Sequence, residues 1–362
     1  MNTTAIKNFA TKARTAFLKL VSDKLAVFGV TEDECPRGEI KGDAFILNGV
    51  PYPVNMEYNY EQLRLAYKEL GYEQLVVSVA HTWFNRFCAL RYMEVHEYLP
   101  FRVFPEAGSV SPDILTHAVD AAEELSMNQA TVREMKLAGD KDQELYRLLL
   151  LAQCKELAKP LPFLFKSDKQ DLYTELLLPD NLLHSDSIIH SLVQDVPEED
   201  WQEIEIIGWL YQYYISEKKD EVIGKVVRKE DIPAATQLFT PNWIVKYMVE
   251  NSLGRLWLEV NPSSSLAEHM EYYISTAEAN PDYVPPVRDH IKGPEDLQVI
   301  DPACGSGHIL VYAFDLLFKI YEEAGYIQRE IPKKILENNL YGIDIDERAT
   351  QLASFALMMK GR

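Results

Sequence analysis

The 362-residue chain is 47% hydrophobic and 25% charged, which fits ordinary soluble globular domains, about two to three of them, and excludes a disordered or fibrous chain. Its 36 basic against 56 acidic residues leave a formal charge of -20, the wrong sign for a surface that grips phosphates along its length. No apolar run approaches the ~20 residues of a membrane span, Met1 to Lys19 lacks the features of a signal peptide, and Cys35, Cys88, Cys154 and Cys304 form no C-x-x-C pair. The expectation is therefore a cytoplasmic protein with no membrane contact, no metal and no disulfide framework, whose contact with nucleic acid is local or lies outside these residues.

Phe9, Phe17, Leu18, Val21 and Leu25 recur at roughly helical spacing and predict an opening amphipathic helix over 5–28. Phe45-Ile46-Leu47, then Asn48-Gly49, then Val50 to Val54 predict two short strands about a turn. The segments Tyr60 to Leu70, Tyr72 to Tyr92, Asp113 to Leu125 and Asp142 to Leu157 repeat apolar positions every three or four residues and read as helices. The aromatic stretch 203–215 contains Trp209, Tyr211, Tyr213 and Tyr214; with no basic residues interleaved, it reads as a buried packing helix rather than a base-stacking platform. Lys218-Lys219 and Lys225 to Lys229 form a modest basic cluster that reads as a solvated face. Residues 1–230 are thus expected to be a mainly helical N-terminal region.

From Thr240 the texture changes. Thr240 as cap and Pro241 at the first helical position predict a helix running to about Trp257. Residues 261–296, with Ser263-Ser264-Ser265, several prolines and Gly293, read as a polar excursion. A strand at Leu297 to Ile300, a glycine-rich turn, a helix from about His308 to Ala324, a strand at Leu340 to Ile345 and a helix at Glu347 to Met359 follow. That order is the start of a doubly wound, Rossmann-like α/β sheet, so 231–362 is expected to be a second, incomplete α/β domain.

The segment Val299-Ile-Asp-Pro-Ala-Cys-Gly-Ser-Gly-His-Ile-Leu310 carries the chemistry. Gly305 and Gly307 let the backbone approach a ligand at the end of a strand, and the next helix presents free amides there, suited to a carboxylate. Asp301 would repel a pyrophosphate but could pair with an amino group. S-adenosylmethionine (SAM) carries both an amino and a carboxylate group. The dinucleotide fingerprint fails, because its third glycine would fall on Leu310, and no P-loop is present. At the tip of the second strand Asp344 could accept hydrogen bonds from both ribose hydroxyls of a nucleoside, Ile345 could pack on the adenine, and Asp346 reads as a helix cap. An Asp after a parallel strand is by itself more often a cap than a ligand; the glycine turn upstream shifts the balance. Cys304 reads as a small turn residue, since no base is recognisable beside it.

Asp301 to Gly307 resembles motif I of the amino-group DNA methyltransferases, Gly342 to Asp346 resembles motif II, and Gln237-Leu-Phe-Thr-Pro241 resembles motif X, which precedes motif I in the γ order of N6-adenine enzymes. The likeness covers about 236–362. It implies that Phe239, Thr240 and Pro241 help hold SAM, that Asp301, Pro302, Ala303, Cys304, Gly305, Ser306, Gly307 and His308 surround its methionine moiety, and that Asp344 and Ile345 take the nucleoside. The opening helix, Phe84 to Arg91, Ile207 to Tyr214 and Asp301 to Leu317 together are similar to the PglX family, the methyltransferases of BREX phage-defence systems. That likeness implies double-stranded DNA as substrate, bound mainly outside these residues, and other defence proteins as partners.

The family transfers methyl groups through [D/N/S]-P-P-[Y/F/W], whose polar end directs the target amine and whose aromatic stacks on a flipped base. No such motif occurs here. Asn280-Pro281-Asp282-Tyr283 has Asp282 in place of the second proline and precedes motif I, and Asn261-Pro262-Ser263 fails similarly. The fragment is therefore expected to be inactive and marginally stable alone, with an uncovered sheet edge. A SAM-occupied scaffold without catalysis, and a SAM enzyme acting on a protein or small molecule, are the competing readings.

Overall fold

The computed structural model describes residues 1–109, 111–166, 169–238, 240–275, 282 and 284–362, with the side chains of 169, 171 and 230 also left out. Phe239 and the stretch Asn280-Pro281, with Tyr283, lie outside the described residues. Two compact units, Met1–Glu217 and Lys218–Arg362, divide the chain.

In the first unit α1 (Thr3–Val27) is capped by Asn2, whose side chain accepts from the Ala5 amide at 3.1 Å, and it buries Phe9, Phe17, Val21 and Leu25. An antiparallel meander follows: β1 (Glu39–Lys41), β2 (Ala44–Leu47) and β3 (Val50–Pro53). Asn48 and Gly49 both take positive φ, 50° and 78°, as a two-residue hairpin turn requires. β1 was not foreseen, because Glu-Ile-Lys is exposed throughout and offers no apolar alternation.

The two helices read on either side of residue 71 are joined as α2 (Met56–Val95), broken at Gly71 (φ 77°, ψ 167°). The helix expected at 113–125 is split at His117 into α3 (Asp113–Thr116) and α4 (Ala118–Glu124). α5 (Gln129–Ala138) escaped the sequence reading because Val132 is the buried residue on it, too little to set a period. α6 (Asp142–Leu157), α7 (Lys169–Leu176), α8 (Ile188–Asp195) and α9 (Glu205–Val222) follow, with a 3-10 helix at Glu198–Gln202 between the last two. The core is aromatic: Phe17 meets Phe87 edge-on at 5.6 Å, and Phe84 lies 4.0 Å from Tyr214 of α9. Tyr211 and Tyr214 are fully buried, as a packing helix requires. Glu94 is also buried; burial raises its pKa, opposed by Arg91 at 2.7 Å and the Val103 and Phe104 amides at 2.8 and 2.9 Å.

The second unit opens with α10 (Ile232–Thr236) and α11 (Asn242–Val249). Pro241 occupies the cap position with extended backbone (ψ 143°), so the helix starts one residue later than expected and Thr240 does not cap it. Instead of running straight to Trp257, the helix widens through a π turn at Glu250–Gly254 before α12 (Arg255–Val260). The π turn points Glu250 inward, where its fully buried carboxylate accepts from Tyr312 Oη at 2.6 Å and from the Glu271 and Tyr272 amides at 3.2 and 2.5 Å.

β4 (Val299–Asp301) and β5 (Leu340–Gly342) pair in parallel, Val299 opposite Leu340 and Asp301 opposite Gly342. Two helices connect them, α13 (His308–Glu323) and α14 (Ile331–Asn338), and α15 (Glu347–Lys360) follows. α14 was missed because it is short and buries only Ile331 and Ile335. Asp346 caps α15, accepting from the Arg348 amide at 3.1 Å. α13 sets the core: Ala313, Leu317, Ile320 and Tyr321 pack with Leu253, Trp257, Ile331 and Ile335, each large side chain contributing about 1.5–3 kcal/mol. Val299 and Leu340 face that core, while Ile300 and Tyr341 on the opposite face are 62% and 44% exposed. Among the described residues the parallel sheet has two strands and one crossover; both strands lie where the sequence places them, with bounds shifted to Val299–Asp301 and Leu340–Gly342.

Candidate cofactor site

The site forms where β4 and β5 end side by side. Past β4 the chain stays stitched to the end of β5: Ile343 N donates to Asp301 O at 2.9 Å and Cys304 N donates to Ile343 O at 3.0 Å. The turn between them needs its glycines for different reasons. Gly305 (φ 53°) opens onto empty space, with nothing within 4 Å of where a Cβ would stand. Gly307 (φ 88°) is pressed on α15, where a Cβ would meet that of Ala353 at 2.9 Å. Close packing of this turn on the last helix sets the height at which α13 begins.

Asp344 is drawn into the turn. Its Oδ2 accepts from Gly305 N at 2.8 Å and its Oδ1 from Asp346 N at 2.8 Å, so the glycine turn and the strand-end acid are one hydrogen-bonded unit. Each oxygen keeps a further lone pair for an outside donor. Asp301 differs: Oδ1 accepts from Ala303 N at 3.1 Å, whereas Oδ2 is shielded from solvent and has no hydrogen-bond partner. A buried carboxylate oxygen left unpaired is costly, and a cationic donor would satisfy it.

The first turn of α13 adds donors. Its leading amides have no acceptor within the helix, and they sit directly after Gly307. His308, the first helical residue, keeps Nε2 out of solvent, and desolvation pulls its pKa down to about 4, so the ring is neutral at pH 7. The Cys304 thiol is pushed up to about 11 by burial and then by Asp344 and Asp301, which makes it a packing group rather than a nucleophile. Ser306 is buried, Pro302 and Ala303 are exposed, and Ile345 stands 69% exposed beside Asp344. Among the described residues no hydrogen bond joins Thr240 or Pro241 to this turn, and no cluster of three His, Cys, Asp or Glu side chains is arranged to hold a metal.

A cavity of about 510 Å3 runs along the outer side of β4, between Ile300 to Pro302 and the α11–π–α12 segment, from Tyr247 to Arg255. Sequence reading did not single out the residues on that helical wall. Their only signal is apolar periodicity, which marks the face turned to the core and says nothing of the flank.

A strand-end glycine turn is thus bonded to an acid past the next strand, with an unpaired carboxylate beside it, and residues 274–361, which contain this turn, match the MmeI DNA-methyltransferase domain family. More particularly, the whole chain aligns at 49% identity over 375 residues with the adenine-specific methyltransferase BrxX of Escherichia coli O9:H4 (strain HS), covering 31% of that protein. It aligns at 38% over 397 residues with the adenine-specific methyltransferase PglX of Lacticaseibacillus casei (strain Zhang), covering 33% of it. A 24% identity over 260 residues, 62% of the chain and 23% of the relative, links it to the type II restriction enzyme and methyltransferase RM.Eco57I of Escherichia coli. The chain is thus similar from end to end to part of the BREX-type adenine methyltransferases, and spans about a third of the length of the two that it matches throughout.

Proposed function

We propose that residues 231–362 are the SAM-binding part of a DNA methyltransferase that acts on the N6 amino group of adenine in a BREX-type defence system, and that 1–230 is its helical N-terminal region. The observation that carries the reading is the bond from Gly305 N to Asp344, which links the two motif-bearing turns beside the unpaired Oδ2 of Asp301. In this reading β4 and β5 begin a doubly wound sheet that the rest of a longer chain completes. Asp301 accepts from the cofactor's ammonium, and Pro302 to His308 wrap the methionine moiety. Asp344 turns its free lone pairs to the ribose hydroxyls, and Ile345 covers the adenine. Phe239, Thr240 and Pro241 contribute backbone from the helix start. SAM, when bound, supplies the methyl group on its sulfonium.

The chain contains no [D/N/S]-P-P-[Y/F/W] motif, so methyl transfer and most DNA contact belong to parts of such an enzyme beyond these residues, and these residues are inactive by themselves. A net charge of -20 agrees with that division, because the duplex needs a basic surface these residues lack. No described helix is long and apolar enough to cross a membrane, and we place the enzyme in the cytoplasm with its DNA and other defence proteins.

Isothermal calorimetry with SAM tests the reading. The chain should bind it, and Asp344→Ala should weaken binding several-fold to about a hundredfold, the loss of two hydrogen bonds of about 0.5–1.5 kcal/mol each. Equal affinity in the variant would remove Asp344 from the site, and no binding by the parent chain would remove the site itself.

A further inference from the structure

Glu250 is fully buried, and among the described residues it makes no ion pair. Its three hydrogen bonds, from Tyr312 Oη at 2.6 Å and from the Glu271 and Tyr272 amides, hold a carboxylate out of water without a countercharge. That arrangement is costly, and an apolar side chain would fill the space without the penalty. The backbone is unusual as well: Glu250 opens the π turn that interrupts the helix, and such turns recur at functional sites. Asn251, the next residue, grips the same segment, its Nδ2 donating to Tyr272 O at 2.8 Å and its Oδ1 accepting from Ile274 N at 2.9 Å.

These bonds tie together two helices whose starts the cofactor reading places at the ligand. Thr240 and Pro241 precede α11, and Glu250 closes it. Gly307 and His308 begin α13, and Tyr312 lies one turn further on, three residues from Ile309 in the wall of the cavity beside Asp301. α11 packs on α13, yet among the described residues no hydrogen bond joins Thr240 or Pro241 to the glycine turn. Their relative placement must therefore be fixed further along the two helices, where apolar contact alone tolerates sliding and a directional bond does not. We propose that Glu250 is a positioning residue for the cofactor: its carboxylate, through Tyr312, locks α11 to α13 and so sets where Thr240 and Pro241 stand relative to the glycine turn. The proposal rests on the SAM reading and on the place of Thr240 and Pro241 in it, and it adds two residues that no motif marks.

Calorimetry with SAM, run well below each variant's melting temperature, tests the lock. Tyr312→Phe deletes one hydroxyl and should weaken SAM about three- to tenfold. Glu250→Gln should do the same, and the double variant should be no weaker than the worse single one, because both changes break one contact. Hydrogen exchange supplies a readout that a merely structural bond would not move: SAM should slow exchange at the Glu271 and Tyr272 amides in the parent chain and leave it unchanged in Tyr312→Phe. Equal SAM affinity in Tyr312→Phe, with Asp344→Ala still impaired, overturns the lock and leaves the cofactor site standing. Losses that add in the double variant, or protection by SAM that survives Tyr312→Phe, overturn it as well. If Glu250→Gln fails to fold, Tyr312→Phe and the exchange measurement decide alone. Failure of the parent chain to bind SAM overturns the lock and the cofactor site together.

Discussion

His308 gives the site a dependence on acidity that can be worked out from its sign. A histidine at about pKa 4 when folded and ordinarily near 6.5 when unfolded binds its proton in the unfolded chain first. Stability from this residue is therefore complete above about pH 6.5 and is lost as pH falls toward 4, by an amount of order 1–3 kcal/mol. Urea melts at pH 7 and pH 4.5 should show a smaller decline for His308→Asn than for the parent chain; equal declines would mean that the ring is not held neutral. The same residue-scale physics separates Asp301 from Asp344. Both were legible as strand-end acids, but the sequence could not say that Asp344 would spend bonds on Gly305 and Asp346 while Asp301 keeps an oxygen in reserve.

At the scale of elements, segments with strong periodicity or a turn signature were read well. α6 matches its expected bounds, and Asn48-Gly49 makes the hairpin its composition demands. Elements held by tertiary contacts were not: β1 is exposed, α14 is short, and the π turn arises because Glu250 reaches buried partners on other segments, which no local pattern encodes. The glycine turn yields a comparison of two neighbours. Gly307→Ala should destabilise by about 2 kcal/mol or more, since a left-handed φ and a collision with Ala353 act together, whereas Gly305→Ala meets open space and should cost about 1–2 kcal/mol from conformation alone. Thermal or urea unfolding of the two variants checks the order; a reversed ranking would mean that the turn does not rest on α15.

For the molecule as a whole, the units divide at Glu217 and Lys218, inside α9, 13 residues before the boundary expected between 230 and 231, where a continuous helix leaves no composition signal. The helical first unit carries no recognisable chemistry of its own, and its likeness to BrxX and PglX is what ties it to the second. The two parallel strands were legible in the sequence, but not that each would pair over only three residues. With two strands, Ile300, Tyr341 and Ile343 remain in water on one side, Ile343 at 58%.

Such a face gives the chain a colloidal character that its acidity alone would not predict. Charge repulsion should keep dilute samples dispersed at low ionic strength, while added salt screens it and lets these faces find each other. Light scattering should therefore report particle mass growing with both protein and salt concentration, and the double substitution Ile300→Lys with Ile343→Lys should abolish the growth without lowering the melting temperature by more than a few degrees. Storage in low-salt buffer, against the usual habit, follows for anyone handling it.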